Sequence, residues 1–109
     1  MLSPNKELFK TLENNIKIYL VDGEYVRDYV DLEFLQGGNW ERYNFIPHGE
    51  IWVEKMLSSF EKDATIYHEV IEVYYMENGM SYNDAHTIAS KAETKWRNKA
   101  LKGTNIEGD

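Results

Sequence analysis

Two histidines and three glutamates in the second half of the chain are spaced so that they can act together. The stretch Tyr67-His68-Glu69-Val70-Ile71-Glu72 reads H-E-x-x-E. On an α-helix, residues four apart project from one face, one turn apart, so His68 and Glu72 can converge on a mononuclear metal without backbone distortion. Glu69 lies one step round from His68, where the H-E-x-x-H metalloprotease helix carries its general base. A carboxylate, Glu72, stands where that motif has its second histidine. Further on, His86 and Glu93 are seven residues apart and share a helical face as well.

The elements that must position these groups can be read from period and punctuation. Ser58-Ser59-Phe60-Glu61 is an S-x-x-E capping box. Behind it Phe60, Ala64, Tyr67, His68, Ile71 and Tyr75 recur at helical spacing. Asn78-Gly79 ends that helix, and Ser81-Tyr82-Asn83-Asp84 caps a second one with an Ala85, Ala89, Ala92 and Trp96 stripe, running to about Leu101. So short a connection predicts antiparallel packing. With Gly79 as the bend and a rise of about 1.5 Å per residue, Glu72 and His86 fall at one level. His68 falls near Ala89 and Ser90, between His86 and Glu93. Four donors then point into about two turns of one alanine-lined seam.

Two imidazoles with one or two carboxylates suit Zn²⁺, with Fe²⁺ or Mn²⁺ as alternatives, better than the all-oxygen ions Ca²⁺ and Mg²⁺. A set of His68, Glu72 and His86 leaves a fourth tetrahedral position open, the mark of a catalytic site. Glu69 can then take a proton from a metal-activated water. Glu93 is either a fourth ligand or the acceptor that fixes the tautomer of His86.

The first half reads as strands. Residues 1–14, with Leu8, Phe9 and Leu12 after Pro4, have the spacing of a short amphipathic helix or an ordered arm. Ile16–Val21 is a strand, Asp22-Gly23 a hairpin turn, and Tyr25–Phe34 a second strand. Gln36-Gly37-Gly38-Asn39 is a turn, Trp40–Ile46 a third strand, and Glu50–Glu54 a fourth after Pro47-His48-Gly49. The expected fold is α+β: a small antiparallel β-meander at about 16–54, then a helical hairpin at about 59–78 and 82–101. Residues 1–102 form a single domain, and 103–109 a flexible tail. Glu50–Glu54 precedes the ligand helix, where small zinc peptidases place a strand whose edge pairs with an extended peptide.

Composition narrows the classes. The 109 residues, 42% hydrophobic and 14% aromatic, suit one globular domain. A net charge of −7 argues against a phosphate-backbone partner. No cysteine is present, which removes disulfides, thiolate metal sites and thiol nucleophiles. The N-terminus lacks the basic start and apolar run of a signal peptide. No apolar run approaches the roughly 20 residues that span a bilayer. The expectation is a soluble cytoplasmic protein with a peptide or protein substrate and neither nucleic acid nor membrane as partner.

Val21-Asp22-Gly23, Phe45-Ile46-Pro47, Glu50-Ile51-Trp52-Val53, His68-Glu69-x-x-Glu72 and Gly79-Met80-Ser81-Tyr82-x-x-Ala85-His86 together resemble a group of small phage and prophage proteins. The resemblance covers about residues 20–96. It implies a zincin-like, metallopeptidase-related metal site and a bacterial cytoplasm as its setting. True zincins have histidine where Glu72 stands, a departure that bears on peptidase activity more than on metal binding.

Blander readings stand beside this one. Glu69 and Glu72 fit a solvated helix face, and a lone histidine on an apolar stripe is usually a core residue. His48 reads as a loop residue. Tyr67, Tyr74, Tyr75 and Tyr82 read as core or interface aromatics, with Tyr82 the nearest candidate to hydrogen-bond an oxyanion. Trp40, Trp52 and Trp96 read as core anchors. One alternative function is a non-catalytic acidic interaction protein that inhibits a host nuclease, although the 19 acidic residues are interleaved with Lys and Arg rather than arranged in runs. Another is a structural metal that clips the two helices. A di-iron carboxylate site needs two E-x-x-H motifs on four helices, and the chain has neither.

Overall fold

The computed structural model describes residues 5–106. In chain order it contains β1 (Lys6–Thr11), β2 (Lys17–Val21), α1 (Gly23–Tyr29), β3 (Gly37–Asn39), β4 (Glu50–Glu54), α2 (Ser59–Glu77) and α3 (Tyr82–Ile106). The fold is α+β, and the four strands form one sheet in the order β1-β2-β4-β3. The outer pairs are antiparallel, but β2 and β4 run parallel, with Lys17 opposite Glu50 and Val21 opposite Glu54. The sheet is therefore mixed, not an antiparallel meander.

A parallel central pair needs cover on both faces, and β4 is written for it: Ile51, Trp52 and Val53 are consecutive and all buried. Side chains alternate across the sheet, so Trp52 joins one cluster with Val21, Val26, Phe34, Tyr43 and Ile46. Ile51 and Val53 join the other, with Ile16, Ile18 and Ile66. The first face is covered by α1 and the aromatic loop after it, the second by α2. The outer side of α2 carries α3, making α2 a middle layer.

Several first-half elements differ from the sequence reading. Asp22 caps a helix instead of turning a hairpin: its Oδ1 accepts from the N–H groups of Glu24 and Tyr25 at 3.1 and 3.3 Å. Asp-Gly serves both geometries, and Val26 and Val30 supply a helical stripe, so Tyr25–Phe34 is not a strand. Gly37-Gly38-Asn39 is a strand rather than a turn. Its glycines are there for room, since a Cβ at Gly37 would lie 2.6 Å from Thr65 Cγ2 and one at Gly38 2.7 Å from the Tyr43 ring. Trp40–Ile46 forms turns, and its aromatics stack in the loop, with Tyr43 and Phe45 rings 5.0 Å apart and Phe45 and Trp52 5.6 Å apart. Leu8 and Phe9 belong to β1, not to a helix. This edge strand is exposed along its length, so it shows neither period clearly, and its backbone pairs with β2 around a turn at Asn15 (φ 67°). Pro4 lies outside the described residues.

The hairpin agrees closely. Ser58 Oγ accepts from Glu61 N at 3.2 Å to start α2. Gly79 ends it at φ 96°, with Gly79 N donating to Met76 O (3.1 Å) and Met80 N to Tyr75 O (3.0 Å), a Schellman closure. Ser81 Oγ accepts from Asp84 N at the start of α3. That helix runs to Ile106, past the expected end near 101, and residues 107–109 lie outside the described range. Counting α1, the described residues form three helices, not two. Among the described residues, no helix is long and apolar enough to cross a membrane.

Candidate metal and acid–base site

The seam between α2 and α3 is narrow because Ala85 and Ala89 are fully buried against α2. Into it project His68, Glu72 and His86. Glu72 Oε2 lies 2.6 Å from His68 Nε2 and 2.6 Å from His86 Nδ1, and the two nitrogens are 3.2 Å apart. The equal level expected for Glu72 and His86 is what the helices deliver. His68 sits between His86 and Glu93, also as the hairpin arithmetic requires: Glu93 Oε1 is 2.8 Å from His68 Nδ1. Glu93 thus meets the far nitrogen of His68, and not His86.

Glu69 turns the other way, toward the sheet, where Gly37 leaves room for it. Asn39, fully buried at the end of β3, donates from Nδ2 to Glu69 Oε1 (2.9 Å) and Glu72 Oε1 (3.3 Å). Its own Oδ1 accepts from the N–H groups of Glu41 and Arg42, which fixes the amide. One oxygen of Glu72 is accordingly tied to the sheet, and the other faces the imidazoles. The sequence reading missed Asn39 because it passed as a turn residue, and no spacing rule links it to a helix 30 residues away. It also missed Arg97, which pairs with Glu93 and Glu61. The Glu93–Arg97 spacing of four was the available sign.

Electrostatics separates the two inner carboxyls. Burial pushes Glu69 up, the charge on Glu72 adds to this, and the Asn39 hydrogen bond only partly opposes them, leaving its pKa at about 8. Burial also resists charge on Glu72, but hydrogen bonds from His68 and His86 prevail and hold it below its ordinary value. On His68, burial works against the proton, while the Glu72 hydrogen bond and neighbouring carboxylates outweigh it and raise the pKa. Two adjacent carboxyls driven apart in this way are the usual form of an acid–base assignment.

The donor set fits a small divalent ion. His68, Glu72 and His86 each present one ligand atom, all within 4.8 Å of one another. Ligands about 2.0–2.1 Å from a tetrahedral ion are about 3.3 Å apart. The two nitrogens already have that spacing, and the Glu72 contacts need to open by less than about 1 Å, with protons leaving as they do.

A cleft of about 530 Å³ opens onto this group, lined also by Gly37, Thr65, Glu69 and Tyr82. His86 is exposed to it, whereas His68 and Glu72 are buried. Tyr82 Oη is 3.4 Å from His86 Nδ1, and the Arg42 guanidinium lies 4.4 Å from the centre of its ring. Burial raises the Tyr82 pKa against the opposing Arg42 hydrogen bond, so its hydroxyl stays a donor at neutral pH. The other singled-out residues lie elsewhere. His48 packs on Trp40 (5.1 Å) beside the β1–β2 turn, outside this cleft. Tyr67 stacks on Trp96 along the helical seam, and Tyr74 is exposed. β4 is paired on both sides, which excludes it as a peptide-pairing edge. The outer strand beside the cleft is β3, and the loop after it covers part of that edge, with Arg42 N and Tyr43 N donating to Asn39 O.

The chain matches no protein-family model, no curated protein and no solved structure.

Proposed function

We propose that this protein is a metal-dependent hydrolase acting on peptide or amide bonds, with His68, Glu72 and His86 holding one divalent cation, zinc before iron or manganese. The observation that carries the reading is the convergence of three N and O donors on one point at the wall of an open cleft. A cation held there supplies Lewis acidity, polarising a carbonyl and lowering the pKa of water. The remaining tasks fall to the chain itself. Glu69 lies in the same cleft, where burial strengthens its hold on a proton, and it accepts and returns that proton. Tyr82 offers a neutral hydroxyl to a developing oxyanion. Glu93, bonded to His68 Nδ1, orients that ring rather than adding a fourth ligand.

Elemental analysis of wild type beside His68→Ala tests the metal first. About one equivalent of zinc, iron or manganese, lost in the variant, is expected. Glu69→Gln should keep the metal and lose hydrolysis of peptide and amide substrates. A wild type that takes up no metal after reconstitution removes this reading in favour of an acidic interaction protein. A Glu69→Gln variant that loses the metal removes the proton role.

A further inference from the structure

The contacts around His68 continue one residue beyond Glu93. Arg97 Nε donates to Glu93 Oε2 at 2.7 Å, and its two terminal nitrogens donate to both oxygens of Glu61 on α2 at 2.8 and 2.7 Å. One guanidinium thus serves two carboxylates on two helices, a task its planar fork suits and a point-charge ammonium does not. Glu93 is only partly buried, and a glutamate side chain at such a position has several rotamers open to water. With Oε2 engaged by Arg97, its Oε1 is left facing His68 Nδ1 at 2.8 Å.

An imidazole ligand offers one nitrogen, and the hydrogen bond made by the other decides which. We propose that Arg97 is a positioning residue that, by fixing Glu93, keeps a proton on His68 Nδ1 and commits Nε2 to the point shared with Glu72 and His86. The competing role for Arg97 is a clasp between α2 and α3 through Glu61. The two roles use different atoms of Arg97, so they separate experimentally. The metal readout below rests on the proposed metal site, and the proton readout does not.

The test compares wild type with Arg97→Gln, Arg97→Lys, Glu61→Gln, Glu93→Gln and the Arg97→Gln/Glu93→Gln pair. In ¹⁵N-histidine-labelled, metal-free protein, the His68 Nδ1–H resonance should be protected from exchange in wild type and in Glu61→Gln. Arg97→Gln and Glu93→Gln should exchange that proton at least about tenfold faster. Zinc affinity should fall in the same two variants by about 10–100-fold, the usual effect of losing an outer-shell partner. The pair should bind zinc no more weakly than Glu93→Gln alone, since Arg97 acts through Glu93. Arg97→Lys, which keeps a cation four residues from Glu93 and gives up the two-pronged bond to Glu61, should retain the protected proton; it decides the matter if Arg97→Gln does not fold. Equal losses in Glu61→Gln and Arg97→Gln, or an unchanged proton in Arg97→Gln, would overturn the positioning role. A wild type that binds no zinc but shows the proton pattern overturns the metal reading and keeps Arg97 in place.

Discussion

Glu69→Gln should make the metal-free protein more stable above pH 8 and leave it unchanged near pH 4. In the fold the Glu69 carboxyl is pushed from the ordinary 4.5 to about 8 by burial and by the charge on Glu72. A raised carboxyl pKa favours the protonated form, so its contribution is fully present below pH 4.5 and is lost as pH rises to about 8. Each tenfold change in proton affinity is worth ~1.4 kcal/mol, which places an upper bound of about 5 kcal/mol on the loss. A figure on the order of 2–4 kcal/mol is expected at pH 9. Glutamine avoids the loss because it is neutral at every pH, and its Oε1 can still accept from Asn39 Nδ2. Urea unfolding in the presence of a chelator, run at pH 4.5, 7 and 9, measures the difference directly. In thermal melts the same gain is roughly 10 °C at pH 9 for a chain of this length. Parallel pH profiles for wild type and variant would mean that Glu69 ionises freely, and the argument for its role as a proton carrier would fail with them.

Zinc affinity should weaken as pH falls from 8 to 6, because the raised pKa of His68 means that binding must displace its proton. A pH-independent affinity by competition titration would place the ion elsewhere. Gly37→Ala should destabilise the protein by about 1–3 kcal/mol, since the new methyl meets Thr65 Cγ2 at 2.6 Å and the Trp52 carbonyl at 3.1 Å. Denaturation midpoints check this, and an unchanged midpoint would show that β3 and α2 are not packed as described.

The helical half of the molecule was open to reading from sequence, and the physical reason is locality. Ser58, Gly79 and Ser81 set the ends of α2 and α3, and a short bend fixes their relative level. The meeting of His68, Glu72, His86 and Glu93 then follows from rise per residue alone. The strands resisted because their partners are distant. Nothing in Lys17–Val21 announces a parallel neighbour at Glu50–Glu54. Asp22-Gly23 and Gly37-Gly38 carry residue types shared by turns, caps and close-packed strands, and only the contact with Glu54, Thr65 or Tyr43 chooses among them. Asn39 was illegible for the same reason: its function lies in two carboxylates on another element.

The Schellman bend at Gly79 also has a kinetic side. His68 and His86 are 18 residues apart and joined by one tight turn, so the nitrogen and oxygen donors can gather as soon as the hairpin forms, with little chain to close. Asn39 reaches Glu69 only across 30 residues and only after the mixed sheet has docked on α2. The His68–Glu72–His86 cluster and the Asn39–Glu69 bond therefore depend on contacts of different sequence range. The hairpin brings His68, Glu72 and His86 together by local closure, before the sheet can present Asn39 to Glu69.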